Sequence, residues 1–342
     1  MKKIENTKKT NFLKKLFIKL CRIIGFEIID QSSLYIPTSK KLASETLSDP
    51  GKKIITIPLG FTNIKRKVSS IDIIIKTCTS VNLVTQNKRR IFEKEKSEYT
   101  FRTINSLIKS LEFGRDFLKK IKIKIHIVDH NSDKKHIDVI KHLIKKSEFE
   151  FQFINLDISQ TGHIKTINKN NEKIENNMKA TMASIFTSFK IAKQDASDLV
   201  YFVEDDYIHK KESIVEMIST YEKISSELNR ELFICPVDYP YLYKKLEDSN
   251  IFLGNKYHWR TVSETLLTFL TSKSLVIKYW EQLKLMSENE HSPFETPLHD
   301  IYKNEVCLSP IPSLAVHCTN INSIFGLSPN IDWKKIWDAN EL

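Results

Sequence analysis

Between residues 70 and 206, short apolar runs alternate with amphipathic stretches. Ile71-Asp72-Ile73-Ile74-Ile75 is a β-branched run that reads as a buried strand. Phe101, Ile104, Ile108 and Leu111 then recur at helical spacing. A second strand is predicted at residues 121–128, ending in the polar turn Asp129-His130-Asn131-Ser132-Asp133. Ile137, Ile140, Leu143 and Ile144 form the next helical face, and residues 151–154 a third strand. Met178, Met182, Ile185, Phe186 and Phe189 mark a strong helix before a fourth strand, residues 199–203, which ends in Glu204-Asp205-Asp206. Apolar strands alternating with helices imply βαβ units, right-handed crossovers and a mostly parallel sheet flanked by helices. Ligands bind such sheets beyond the carboxyl ends of the strands. The two polar clusters, 129–133 and 204–206, both fall there.

The N-terminal segment has a different pattern. Leu13, Leu16, Phe17, Leu20, Cys21 and Ile24 share one helical face, with Lys14, Lys15, Lys19 and Arg22 mostly off it. A basic amphipathic helix either lies in an anionic membrane interface or docks on its own protein, and the pattern leaves both open. Residues 31–66, punctuated by Pro37, Pro50, Gly51, Pro58 and Gly60, read as a connector with one short strand at 54–57. The organisation is therefore a helix and connector over 1–66 and an α/β domain over 67–342, divided after the acidic cluster into 67–206 and 207–342.

Length and composition narrow the class. The 342 residues, 41% apolar and 28% charged, suffice for one large α/β domain. A net charge of +11 favours anionic partners without choosing among nucleotides, nucleic acid and lipid. Cysteines at 21, 78, 235, 307 and 318 form no C-x-x-C pair, so they read as reduced thiols and not as a zinc site. No apolar run approaches a membrane span, and no signal-peptide core opens the chain. The expected location is cytoplasmic, with peripheral attachment to the inner membrane face as the option the first helix offers.

Three adjacent carboxylates repel one another, and a divalent cation held by hard oxygen ligands compensates them. The alternative for Glu204-Asp205-Asp206 is a solvated acidic turn capping the next helix. Asp129 at a strand end can accept hydrogen bonds from a nucleobase or ribose, while Asn131, Ser132 and Asp133 equally suit a turn and helix cap. In Gly162-His163-Ile164-Lys165 the glycine permits close approach to a ligand, and Lys165 could meet phosphate. The segments 235–243 and 258–260, rich in Tyr, Trp and Arg, suit a sugar-binding cleft or ordinary packing.

In this order the motifs resemble GT-A-fold glycosyltransferases, close to the family-two-like group. The likeness spans roughly residues 70–320 and rests on the opening strand through Ser80, the turn Asp129–Asp133 and the acidic triplet Glu204–Asp206, with Glu in place of the leading Asp of a strict Asp-x-Asp. It implies a Rossmann-like GT-A sheet and transfer of a sugar from a nucleotide-diphosphate donor to a glycan, lipid-linked or other surface-polymer acceptor, with Mn²⁺ or Mg²⁺ as cofactor. It implies Asp206 as the main metal ligand, with Glu204 and His317 completing the shell. It places Thr77, Asp129, Asp133, Lys165 and Asp205 around the nucleotide-sugar. Asp300, early in a late helix, becomes the general base of an inverting reaction, with Glu264 as its rival, and residues 67–206 become the nucleotide-sugar-binding half and 207–342 the acceptor half. Two other classes compete. A nucleotidyltransferase usually carries a Gly-rich signature after the first strand, and Thr77-Cys78-Thr79-Ser80 has no Gly. A non-enzymatic basic protein on membrane or nucleic acid fits the charge, but no nucleic-acid motif is present and strand-end acidic clusters are left unexplained.

Overall fold

The computed structural model describes residues 12–26, 54–57, 60–80, 90–158, 162–168, 171–174, 176–291 and 293–342. Residues before Phe12 and most of the connector expected at 31–66 lie outside them. The described chain begins with α1 (Phe12–Ile23) and a two-stranded hairpin of β1 (Ile54–Ile57) and β2 (Gly60–Asn63). There follow β3 (Ser70–Thr77), α2 (Lys96–Phe113), α3 (Arg115–Leu118), β4 (Lys122–Asp129), α4 (Lys134–Lys146) and β5 (Glu150–Asn155). Next come α5 (Asn176–Gln194), β6 (Leu199–Glu204), β7 (Tyr207–His209), α6 (Ser213–Leu228) and β8 (Phe233–Ile234). The chain closes with β9 (Ile251–Leu253), β10 (His258–Thr261), β11 (Phe269–Ser272), α7 (Lys273–Lys278), α8 (Trp280–Glu288), α9 (Thr296–Tyr302), β12 (Cys307–Ile311), β13 (Ala315–His317) and α10 (Trp333–Asp338).

Among the described residues the main sheet runs β5-β4-β3-β6-β11-β8-β12-β10-β9. It is mixed, and parallel over most of its paired length. β5, β4, β3 and β6 are mutually parallel, while β11 joins β6 antiparallel and carries the sheet into its second half. The four strands expected from apolar runs are thus present and contiguous. Period-2 alternation within β3 divides the core. Ile71, Ile73 and Ile75 pack with Ile104 and Leu107 of α2, Ile140 and Ile144 of α4, and Ile218 of α6. Ile74 faces the other way, towards Ile185 and Phe189 of α5, Leu283 of α8 and Leu298 of α9. Both sheet faces are covered by helices, as continuously apolar parallel strands require.

This topology fixes where a ligand can sit. From β3 the chain builds outward to β4 and β5 on one side, then returns to place β6 on the other side of β3. Strand order reverses between β3 and β6, with α2 and α5 on opposite faces, the arrangement in which α/β sheets take ligands in a crevice beyond the carboxyl ends. The strand ends at that reversal are Thr77 and Glu204.

Candidate active site

β6 is buried from Leu199 to Val203 and emerges at Glu204. The chain turns through Asp205 and Asp206 into β7, which pairs antiparallel with β13. That register sets His317 opposite Tyr207, and the Cys318 N–H donates to the Asp206 carbonyl at 2.9 Å. Residues more than one hundred positions apart thereby become neighbours, with Asp206 Oδ2 3.7 Å from His317 Nε2. The His317 ring stacks on Tyr207 at 4.6 Å, and its Nδ1 donates to the Phe325 carbonyl at 2.7 Å. That bond assigns the tautomer, leaving Nε2 as the nitrogen facing Asp206. Burial alone would raise the Asp206 pKa, but His317 and Lys96 outweigh it and hold the carboxyl well below its usual range. Burial likewise opposes the charge on His317, and Asp206 overrides it, so the imidazole pKa lies above its ordinary value.

The charge-compensation argument for a metal is only partly met by this arrangement. Glu204 lies 3.4 Å from Lys76 Nζ, and Asp205 is ion-paired with Lys96. Asp205 also accepts from the Thr100 hydroxyl at 2.8 Å and the Cys78 N–H at 3.3 Å. All three carboxylates thus have a protein cation or imidazole beside them, Lys76 at Glu204, Lys96 at Asp205, and Lys96 and His317 at Asp206. Among the described residues no group of three or more His, Cys, Asp or Glu side chains gathers as a metal cage. Asp206 and His317 remain, a carboxylate and an imidazole whose Nε2 faces it while Nδ1 is held by a backbone carbonyl. This donor set fits a cation of the Mg²⁺ or Mn²⁺ type, which takes few protein ligands and completes its shell with phosphate oxygens and water.

The second polar cluster is stitched to the first strand. Thr77 and Asp129 are partners in the β3–β4 register, and the Thr77 hydroxyl donates to Asp129 Oδ1 at 2.7 Å. The other Asp129 oxygen accepts the Ser132 N–H at 3.2 Å, and Ser132 Oγ accepts the Thr79 N–H at 2.9 Å. Thr77 and Asp129 are both buried. Asp133 precedes α4 as its cap residue without a side-chain capping bond; its carboxylate, 57% exposed, is 3.7 Å from His136.

Other expected residues lie apart from these contacts. Lys165 is exposed, with its backbone N–H on the Glu288 carbonyl. The Asp300 carboxylate, 54% exposed on α9, pairs with Lys303 at 2.5 Å. Its neighbour His299 turns to the Thr265 carbonyl. Glu295, at the start of α9, is near enough to the buried Tyr239 to help raise its pKa, although burial is the main cause. Tyr239 in turn is 2.7 Å from the Tyr207 hydroxyl, beside His317. The Asp238–Arg260 ion pair, at 2.5 Å, and Tyr243 form the polar lining of the segments expected to face an acceptor.

Three cationic residues escaped the sequence reading. Lys76 had a visible signal, a charged residue interrupting a buried strand. Lys96 and Arg90 had none, because residues 90–96 mix charges of both signs with no pattern that ties them to a strand end. Arg90 forms a β-bridge with Thr319, two residues beyond His317, and its guanidinium lies 5.4 Å from the Tyr99 ring centre. Its Nε and Nη2 are buried with no hydrogen-bond partner among the described residues. It is close enough to Lys96 to oppose that ammonium's charge, though Lys96 is held charged chiefly by Asp205 and Asp206 against burial.

No sequence-family profile matches the chain, and no characterised protein matches it in sequence. Several solved structures are similar in fold. UDP-glucose pyrophosphorylase complexed with UDP-glucose aligns at a TM-score of 0.40 and 9% identity, covering 73% of this chain and 93% of that one. The galactosyltransferase LgtC, in complex with donor and acceptor sugar analogues, aligns at 0.34 and 10%, covering 70% and 86%. Mouse xyloside xylosyltransferase 1 aligns at 0.36 and 10%, covering 68% and 76%. Likeness at these TM-scores carries no weight for activity, which has to be read from the site that this chain itself builds.

Proposed function

We propose that the chain is a divalent-metal-dependent glycosyltransferase that takes a nucleotide-diphosphate sugar as donor and a glycan or lipid-linked acceptor. The observation that carries this reading is the placement of Asp206 and His317 beside the β3–β6 reversal of the sheet, next to the bonded strand ends Thr77 and Asp129. A crevice of this kind accepts a nucleotide. Asp129 and Asp133 serve its base or ribose, and Thr77 keeps Asp129 in place. Asp206 and His317 would hold the cation, with Glu204 joining them on leaving Lys76. When bound, the cation supplies Lewis-acid neutralisation of the leaving diphosphate.

The protein's own cations act in the same sense. Lys96 holds Asp205 at the edge of the site, and Arg90 offers an anion two guanidinium nitrogens, Nε and Nη2, that have no hydrogen-bond partner among the described residues. Lys165 is exposed and would reach phosphate by way of its flexible stem. On the acceptor side a sugar hydroxyl needs a carboxylate to take its proton as it attacks the anomeric carbon. Asp300 has the expected place in chain order and must leave Lys303 to act. Glu295, five residues earlier at the cap of the same helix, already has its charge felt at Tyr239. An acid on this side, across from the diphosphate, supports inversion.

The test is calorimetric titration of nucleoside diphosphates with Mn²⁺, followed by transfer assays with the nucleotide sugars of the base that binds. Mn²⁺-dependent binding lost in Asp206→Ala, with sugar transfer in the wild type, is the expected result. Undiminished transfer in excess chelator removes the metal. Synthesis of a nucleotide sugar from a nucleoside triphosphate and a sugar phosphate would replace the reading with nucleotidyl transfer.

A further inference from the structure

α1 is the one motif of the sequence that the proposed function leaves unused. At 100° per residue, Phe12, Leu13, Leu16, Phe17, Leu20 and Ile23 fall on one side of the helix. All six are between 52% and 76% exposed. Ile18 is half-buried and Cys21 buried, and both project from the other side. The alternative in which this helix docks its apolar face on its own domain is therefore not the arrangement observed among the described residues. Single exposed apolar residues are ordinary on protein surfaces, but a contiguous stripe of six marks an interaction surface.

We propose that α1 lies in the headgroup–acyl boundary of an anionic lipid bilayer, with this stripe turned into the membrane. Charge chooses the occupant. Lys19 and Arg22 are exposed away from the stripe, and Lys2, Lys3, Lys8 and Lys9 precede the helix in sequence. Acidic residues are absent between Phe12 and Phe26. An apolar face bordered by cations only matches lipid tails beneath anionic headgroups. A second copy of the helix would instead bring like charges together. Twelve residues give a helix of about 18 Å, shorter than the ~30 Å hydrocarbon core, so α1 lies flat. No helix among the described residues is long and apolar enough to cross a membrane. The inference goes beyond the proposed transfer reaction and does not depend on it.

The experiment is sedimentation of the full chain with phosphatidylcholine vesicles, with and without phosphatidylglycerol, beside Leu16→Glu/Leu20→Glu and Lys19→Gln/Arg22→Gln variants. The wild type should sediment with the anionic vesicles and release in high salt. The Glu variant should stay in solution at every lipid concentration, with a thermal melt like the wild type's because both side chains are more than half exposed. The Gln variant should lose affinity about fivefold per cation removed. Wild type that stays in solution, or a Glu variant that sediments equally, overturns the proposal. So does equal binding to neutral vesicles, which would remove the charge argument. A wild-type dimer that Leu16→Glu/Leu20→Glu splits, without lipid binding, gives the surface to a second copy. A Glu variant that melts early shows the stripe to be packed after all.

Discussion

Glu216 tests whether the proposed acceptor side is held as described. This carboxylate, on α6, is 1% exposed. Its Oε1 accepts the backbone N–H of Asn255 at 2.9 Å, that of Lys256 at 3.2 Å and that of Tyr257 at 3.3 Å, and also the Trp259 indole N–H at 3.3 Å. Oε2 accepts Lys256 N–H at 2.9 Å. One side chain thus satisfies the turn between β9 and β10, and β10 carries Arg260 to its pairing with Asp238. Gly254 packs so closely that an added Cβ would lie 2.3 Å from the Trp259 indole nitrogen and 2.7 Å from Glu216 Oε1. Glu216→Ala leaves these donors buried without an acceptor. Each unmet donor costs about 1–3 kcal/mol, but some will reach water as the turn relaxes, so a net loss of about 3–5 kcal/mol is expected. Glu216→Gln keeps one acceptor oxygen and sets an NH₂ against a backbone N–H, for about half that loss. Urea unfolding is the assay, and the midpoint should fall with an unchanged slope. A loss under about 1 kcal/mol in Glu216→Ala, or Gln behaving worse than Ala, would show that the turn does not depend on this carboxylate.

His209 is buried and its pKa is pushed down to about 3 by burial, so the unfolded chain, titrating near 6.5, takes the proton first. Stability should therefore be full above pH 6.5 and fall as pH drops from there towards 3, by up to ~1.4 kcal/mol per pH unit, and His209→Gln should flatten that slope in urea melts at stepped pH. Burial works against the charges on Asp198 and Glu231, but Arg66 outweighs it and lowers both pKa values. Their contribution is present above the ordinary carboxylate range and lost as pH falls through the lowered values. Arg66→Met should destabilise by about 3 kcal/mol at neutral pH and by less in acid; an equal loss at both pH values would contradict this. Arg90→Gln should melt no earlier than the wild type, since it removes an unsatisfied buried charge, while weakening inorganic pyrophosphate binding about tenfold. An early melt with normal binding would make Arg90 structural. Replacing Asp300 by Asn and Glu295 by Gln separately should identify the base, whose loss lowers the transfer rate about 10²–10⁴-fold with donor binding kept; two near-normal rates would exclude both.

Local pattern determined much of the architecture. β3, β4, β5 and β6 are legible because strands buried on both faces must be apolar throughout, and the helices between them because each buries one stripe at a 3.6-residue period. Thr77, Asp129 and Asp206 could be placed at strand ends for the same reason: a polar cluster that stops an apolar run marks where the strand leaves the core. The second half of the sheet was not legible. β8, β9 and β11 are two to four residues long, too short for alternation to show, and β8 and β11 join the sheet through partners remote in sequence. The pairing of charges was equally hidden. That Glu204 meets Lys76, Asp205 meets Lys96 and Asp206 meets His317 follows from strand order and from the β7–β13 register, which bring together groups up to 128 positions apart. Sequence spacing carries no information at that range, because the neighbours of a side chain at a strand end are set by which strands the folded sheet places beside it.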